Sequence, residues 1–506
     1  MTDTTPGMHS GPEAGPAEGV PLAVATLAQQ SDAVEVPSYD PGTLRAGVVH
    51  FGVGGFHRAH QAVYFDEIAA KGISHDWGII GVGLHRREMK DVLENQDNLY
   101  TVVERGEDHH HARIVGSIVD YLYAPEDPEA VLAALAAEST RLVTLTVTGT
   151  SYPVDAHTGE FLADDEGIVQ DLKNDGAPET VFGYIVEGLR RRRAAGIKPF
   201  TVLSCDNVQE NGRTTRTAVA SLARLQDPEL ADWIDENVCF PSSMVDRITP
   251  ATSPEDRDDI AEEFGVEDGW PVLTEPFRQW IIEDKFCNER PPLDQVGAQL
   301  VQDVEPYELM KTRMLNGSHC GLGYFGSLLG HSSSDEAMRD DDVRAYVRGL
   351  MNEIIPLLPE VPGINLKDYR ETLISRFSNP EIGDQLERLA RRSSTKMPSY
   401  VLPSLKEALA AGGEHRLLVL TVAGWIEFLG GVDVNGDPID VQDALLEDLR
   451  PLAANKDVSD FAADEAIFGE LGSNEGFVAE LQEAVDALRA QGPRKSIEQS
   501  LKAERN

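Results

Sequence analysis

Ala46-Gly47-Val48-Val49-His50-Phe51, running into Gly52-Val53-Gly54-Gly55-Phe56-His57-Arg58-Ala59-His60, is the stretch that decides the fold. The first six residues form a short β-branched strand pattern. The next nine open with closely spaced glycines and lead into a helical pattern through Tyr64, Phe65 and Ile68. Strand, glycine-rich turn and helix, in that order, is the context in which G-x-G signals dinucleotide binding. Such a turn lets backbone N–H groups meet a pyrophosphate. Gly52, Gly54, Gly55, Phe56, His57 and Arg58 are therefore the candidate cofactor contacts. His57 stands where the usual fingerprint has its third glycine, so the motif alone is weak and a structural β-turn competes with it.

Working outward, a second strand, Trp77-Gly78-Ile79-Ile80-Gly81-Val82-Gly83-Leu84, follows at a βαβ distance. An NAD enzyme carries an acid after that strand for the adenosine ribose. Here the next residues are His85, Arg86 and Arg87, basic groups that suit a 2′-phosphate, so NADP stays open beside NAD. Arg141–Thr148 and Phe200–Asn207 are further buried strands. Asn207 then lies at the carboxyl end of a strand, where doubly wound sheets meet their ligands, although an Asn there also serves as a turn former. Strand-rich βα alternation continues to about residue 290 and gives way to helical patterns at Leu386–Arg391, Leu402–Ala411, Leu417–Leu429, Val441–Leu449 and Ala479–Ala490. The expected class is α/β, a Rossmann-type doubly wound sheet domain followed by a mainly α-helical C-terminal domain. Its expected parts are a disordered or draped extension over 1–38, a dinucleotide domain over 39–292 ending near Pro291-Pro292, and a helical domain over 293–506.

Composition narrows the function. A chain of 506 residues exceeds one hydrophobic core, and 41% apolar residues suffice for two. With 44 basic against 86 acidic side chains, the formal charge of −42 repels phosphate backbones and anionic lipid, which argues against nucleic acid or membrane as partner. Cys205, Cys239, Cys287 and Cys320 lie far apart, the usage of a reducing cytosol with no zinc spacing. No apolar run reaches the ~18 residues of a membrane helix, and no secretory pattern opens the chain, so a cytoplasmic protein is expected. The run Glu107-Asp108-His109-His110-His111 suggests a metal at first sight, but adjacent histidines in a strand point apart and an exposed hairpin is expected.

The second informative stretch is Tyr307-Glu308-Leu309-Met310-Lys311-Thr312-Arg313-Met314-Leu315-Asn316-Gly317-Ser318-His319, with no proline before Ser334 and helix-forming residues throughout. At 100° per residue from Lys311, Glu308 falls at about 60°, His319 at about 80° and Asn316 at about 140°. Four polar groups converge on one side, and Gly317, Gly321 and Gly323 leave small steps for a neighbouring backbone or a flat ligand. A solvated helix face is the plain alternative.

With these residues in view, the chain resembles the long-chain mannitol dehydrogenase family, the polyol-specific long-chain dehydrogenases, from about residue 47 to 430. Gly52–His60 is similar to the family's cofactor turn. Phe240-Pro241-Ser242-Ser243-Met244-Val245-Asp246-Arg247-Ile248-Thr249-Pro250 is similar to its signature segment, and Thr274-Glu275-Pro276-Phe277 with Gln279-Trp280 to another. Lys311, Asn316 and His319 match its K-x4-N-x2-H element. The resemblance implies a metal-independent hydride transfer with NAD, or NADP, at a site shared by the two domains. It implies Lys311 as general base, Asn207 and Asn316 as oxyanion donors, and His319 as the group that orients substrate. Asp246 would bind hydroxyls and Glu308 would pass protons to solvent. Arg376 is the candidate for a further substrate contact, with Lys396 second. The resemblance also implies a monomer acting on a small polyol or ketose: D-mannitol and D-fructose first, with D-arabinitol and xylulose or a fructuronate as alternatives. One departure is Gly149, in Thr148-Gly149-Thr150, where the family commonly has an acid.

Rival chemistries fit less well. Tyr307-x3-Lys311 matches the short-chain dehydrogenase dyad, but that class needs an upstream serine and none lies between 255 and 317. Asp433-x-Asn435-x-Asp437 imitates a calcium loop, yet Pro438 and Ala444 replace its turn glycine and bidentate glutamate. A nucleotide-binding regulator without catalysis is the alternative from another class.

Overall fold

Five parallel strands carry the glycine-rich turn: β1 (Ala46–Phe51), β2 (Gly78–Gly83), β3 (Ile118–Tyr123), β4 (Leu142–Leu145) and β5 (Thr201–Ser204). The computed structural model describes residues 19–107, 109–155, 158–173 and 178–503. Sheet order is β3-β2-β1-β4-β5, that of a Rossmann fold with its switch point between β1 and β4. β1 shows why these residues make a central strand. Val48 packs into the apolar cluster on one face, Val49 and Phe51 into the cluster on the other, and the polar His50 is buried against Thr144.

The first unit extends beyond the sheet. Ser243–Asp246 pairs antiparallel with Gln279–Glu283, and that strand pairs parallel with Gln299–Val301. For this reason the chain leaves the first unit after Gln302, not at 292. Four strands make a further sheet, Val272–Thr274, Tyr100–Gly106, His109–Val115 and Val34–Glu35. The histidine run opens the third of these, where His110 Nδ1 meets Glu263 at 2.8 Å and His111 Nε2 meets Glu35 at 3.1 Å.

The extension expected over 1–38 is corrected in its second half. Val20–Pro21 pairs with Val266–Glu267, Val34–Glu35 pairs with Ala112–Arg113, and Leu22 and Val34 are buried with Ile260, Phe264 and Leu273. Residues 1–18 lie outside the described residues.

The second unit is helical. Arg416–Leu429 is buried on nearly every side, and the buried Glu353 carboxylate accepts from Leu417 N at 2.8 Å and Leu418 N at 2.9 Å to cap it. No helix among the described residues is long and apolar enough to cross a membrane. Leu402–Ala411 forms as expected, while the helix expected over Val441–Leu449 begins only at Leu446. Asp443 accounts for the difference, since its carboxylate accepts from Ser393 Oγ at 2.7 Å, Ser394 N at 2.7 Å and Ser394 Oγ at 2.6 Å.

Candidate active site

In the first unit the turn after β1 is shaped by one glycine. Gly52 has φ +96, and a Cβ there would stand 2.1 Å from the Thr146 carbonyl oxygen. Gly52 N donates to Val82 O at 3.1 Å and Thr146 Oγ1 donates to Gly52 O at 2.7 Å, so the turn is tied to both neighbouring strands. In front of Gly54 the nearest atom to a built Cβ is Gly52 O at 3.9 Å, which leaves that backbone face open. Gly55 begins the helix Gly55–Ala59, continued after a break by Gln61–Ala70. This is the close backbone approach a pyrophosphate requires, and the turn fits a dinucleotide.

The side chains that follow are interior. His57 stacks on His50, centroids 3.4 Å apart and planes at 12°, and His50 Nδ1 meets Thr144 Oγ1 at 2.7 Å. Burial lowers the pKa of both imidazoles, that of His50 to about 3. Arg58 is also buried. It donates to Trp270 O and lies 5.3 Å from the Tyr100 ring centre. Of the six residues named as cofactor contacts, His57 and Arg58 have buried side chains, which leaves only their backbone to a ligand. Phe56 is half-buried and stacks on His60 at 5.0 Å.

At the carboxyl ends of β4 and β5 a buried carboxylate holds a strained residue. Thr148 has φ +75 and ψ 148, a region L-residues avoid. Asp206 accepts from Thr148 N at 2.7 Å, Val147 N at 3.1 Å and Tyr152 Oη at 2.9 Å, and burial pushes its own pKa up. Asn207 follows directly and is exposed at this end of the sheet; Gly149 follows Thr148. Asp246 ends the strand Ser243–Asp246 and is buried. Its neighbour Arg247 serves structure, donating to Ala59 O at 2.5 Å and Glu275 O at 3.0 Å and pairing with Glu104. Ile248 N donates to Glu275 Oε1 at 2.6 Å. The two segments similar to family motifs thus clamp each other. His85, Arg86 and Arg87 follow β2 and are exposed.

In the second unit the helix expected from Tyr307 to Ser334 is interrupted. Glu305–Met310 is α-helical, Lys311–Asn316 is a π turn, and α-helix resumes over Gly317–Leu328. The angles drawn at 100° per residue therefore do not hold beyond Met310. Such turns collect at functional sites because one extra residue per turn re-aims the side chains. Arg313 braces this one with Glu407 through two bonds of 2.6 and 2.7 Å. Lys311 is 7% exposed and Asn316 8%. Asn316 Nδ2 has no acceptor among the described residues, an expensive state for a buried amide. Glu308, one turn before Lys311, is half-buried, and its carbonyl accepts from Thr312 Oγ1 at 2.7 Å.

His319 lies 4.6 Å from the Phe377 ring. Burial, then the cations Arg388, Lys396, Arg376 and Lys311, hold its pKa well below the ordinary value, so the imidazole is neutral. Burial also lowers Lys396 to about 8, and its Nζ donates to Leu389 O at 2.8 Å and Arg388 O at 3.3 Å. Arg376 is buried near the end of Leu366–Phe377. Sequence reasoning missed Arg388, which sits four residues after Asp384 and looks like half of an ordinary helical ion pair. A second π turn, Met397–Val401, follows Lys396 directly. Gly317 and Gly323 carry no flat ligand in the helix interior: built Cβ atoms would meet Tyr400 O at 3.1 Å and Ala390 N at 3.2 Å.

Residues 46–295 match the model of the mannitol dehydrogenase Rossmann domain, and residues 303–489 that of the mannitol dehydrogenase C-terminal domain. The chain belongs to the mannitol dehydrogenase family. A mannitol 2-dehydrogenase of Phaeosphaeria nodorum is 44% identical over 92% of this chain and 83% of its own length. Among solved structures of the mannitol dehydrogenase type, the Pseudomonas fluorescens mannitol 2-dehydrogenase, in ternary complex with NAD and D-mannitol, superposes with TM-score 0.88. It is 43% identical and the match covers 95% of this chain and 99% of that one. A D-sorbitol dehydrogenase in substrate-free form superposes with TM-score 0.87 at 36% identity, covering 94% and 100% of the two chains.

Proposed function

We propose that this protein interconverts a polyol and its ketose by metal-independent hydride transfer, D-mannitol and D-fructose being the first pair, and works as a monomer. The names of its relatives support that substrate class. The cofactor is a nicotinamide dinucleotide, NAD or NADP, held at its pyrophosphate by the backbone of Gly52–Gly55. When bound, it supplies the hydride acceptor or donor. Everything else falls to the chain. Lys311, 7% exposed, takes the hydroxyl proton. Glu308, one turn earlier, passes that proton to solvent. Asn316 and Asn207 donate hydrogen bonds to the developing alkoxide. His319, kept neutral, orients the substrate without protonating it. Asp246 accepts from polyol hydroxyls, and Arg376 contacts the substrate's far end.

The observation that carries this reading is the Asn316 amide, buried in the same π turn as Lys311 and without an acceptor among the described residues. A folded protein keeps such a donor when a reacting oxygen is its partner. Asn316→Ala is expected to lower kcat about 100-fold with little change in KM. Nicotinamide absorbance with D-fructose, xylulose and fructuronate in turn measures both the effect and the substrate; activity within twofold of wild type removes Asn316 from the mechanism.

A further inference from the structure

We propose that Cys239 and Cys287 form a reversible thiol–disulfide site, in which Cys287 attacks a low-molecular-weight disulfide such as oxidised glutathione and Cys239 then closes the internal bond. The two cysteines meet at the amino end of β5, the end away from Asn207. Val202 N donates to Cys239 O at 3.0 Å. Cys287 N donates to Thr201 Oγ1 at 3.1 Å, and Cys287 Sγ lies 3.5 Å from the same oxygen. Consecutive residues of one strand thus hold the two cysteines. Asn288 Nδ2 donates to Pro199 O at 3.0 Å and ties the second connection to the same strand start. The Cys239 thiol lies within hydrogen-bonding reach of the Cys287 thiol. Both residues are half-buried, which leaves them open to a small oxidant. Cys205 and Cys320 are enclosed, and burial pushes both of their thiols up, which keeps them out of the exchange.

The surroundings give the two sulfurs different parts. Arg192 is buried on the helix Val181–Ala195. Its Nε donates to Lys198 O at 2.7 Å and its Nη1 to Leu135 O at 3.1 Å and Ala137 O at 2.6 Å, while Nη2 has no acceptor among the described residues. These bonds all go to carbonyl oxygens, so none of them neutralises the guanidinium charge. Burial lowers the Arg192 pKa to about 10, and a thiolate on Cys287 opposes that fall, ahead of Glu138. A buried cation of this kind favours an anion at Cys287, and the thiolate is the attacking form. Burial, then the neighbouring Cys287, pushes Cys239 up to about 11, so Cys239 keeps its proton through the first step. In that step the Cys287 thiolate bonds to one sulfur of the small disulfide, and the other sulfur leaves as a thiolate. Cys239 then gives its proton to the released thiolate and bonds to Cys287 Sγ, and the second small thiolate leaves and takes a proton from solvent. Two protein thiols lose two electrons, and the reagent's S–S bond is reduced to two thiols. Cys239 precedes Ser243–Asp246, and Cys287 follows its antiparallel partner Gln279–Glu283, with Ser243 opposite Ile282. The new bond staples the strand pair at that end and restricts the unfolded chain.

The test uses the purified full-length protein and needs neither substrate nor cofactor. The protein is equilibrated with oxidised glutathione, quenched with acid, alkylated and mapped by mass spectrometry, and its urea unfolding is followed before and after dithiothreitol. The wild type is expected to yield a Cys239–Cys287 cross-linked peptide and an intact mass short of two hydrogens, with no glutathione retained. Its urea midpoint is expected to rise on oxidation and to return on reduction. Cys239→Ser is expected to stop at the mixed disulfide, with glutathione on Cys287. Cys287→Ser is expected to take up glutathione at Cys239 about tenfold more slowly or less. A wild type that keeps all four thiols, retains glutathione or joins two chains overturns the site. Faster uptake at Cys239 than at Cys287 in the single variants overturns the assigned order of attack. Should a serine variant fail to fold, the wild-type peptide map still decides whether the site exists.

Discussion

The turn at Gly52–Gly55 and the π turn at Lys311–Asn316 both depart from regular structure, but they are made by different means. The first is local. One glycine at φ +96 lies against the Thr146 carbonyl, and the strand before it is buried on both faces. The second is made at a distance. Nothing between Glu305 and Leu328 forbids a regular α-helix, and the π turn is braced by Glu407, 94 residues from Arg313. The cofactor turn is therefore fixed by backbone sterics, and the proposed catalytic turn by packing. Substitutions should fail differently in the two.

The largest expected effect is chemical. Lys311→Ala is expected to lower kcat near neutral pH by about 1000-fold, ~4 kcal/mol of barrier, with NADH binding nearly unchanged. Steady-state kinetics beside a fluorescence titration of NADH measure the two parts, and retained turnover removes Lys311 as base. Gly52→Ala should do the opposite. Its methyl group meets a backbone oxygen and its φ suits no L-residue, so about 3 kcal/mol of stability is lost together with dinucleotide affinity. Urea unfolding and the same titration report it; a stable variant that still binds NADH would separate the turn from the cofactor.

The contrast also explains what was legible in the sequence. β1, β2, β4 and β5 and the glycine turn could be read because each is encoded by its own residues. Lys311, Asn316, His319 and Arg376 were picked out, and the structure brings Lys311, Arg376 and His319 into one electrostatic cluster. What stayed hidden depended on partners far along the chain. The π turn is one case, and the delayed start at Leu446, where Asp443 is held by Ser393 and Ser394, is another. The Gln299–Val301 strand needs its neighbour at 281–283 to exist, which moved the domain boundary. That the side chains of His57 and Arg58 are buried was equally hidden, because a sequence does not show which face of a helix is covered.

A smaller effect sharpens the first half of the comparison. Burial lowers His50 and His60 from the ordinary 6.5 to about 3. The native state holds them neutral while the unfolded chain protonates below ~6.5, so their stability is present above that pH and is lost as pH falls toward 3. Each contributes a slope of about 1.4 kcal/mol per pH unit in that window. Urea unfolding at pH 6.5, 5.8 and 5.0, where most carboxylates stay ionised, should show it. His60→Gln should flatten the slope by one histidine's share. Parallel lines for wild type and variant would mean that His60 is protonated in the native state.

The smallest expected effect tests whether the second turn is held by packing. A methyl group on Gly317 stands 3.1 Å from Tyr400 O, in the other π turn, and 3.9 Å from Ile354 Cδ1. Alanine gains about 1 kcal/mol of helix propensity over glycine at this helix start, and the crowding costs a similar amount while the Tyr400 carbonyl yields a few tenths of an ångström. Stability in Gly317→Ala should thus change by less than ~1 kcal/mol, whereas kcat should fall several-fold because Asn316 moves with its neighbour. Urea unfolding and steady-state kinetics on the same preparation separate the two quantities. A loss beyond ~3 kcal/mol would mean that the two π turns abut without give. Unchanged kcat would mean that the Asn316 donor tolerates displacement, which is incompatible with a role that depends on its distance from a reacting oxygen.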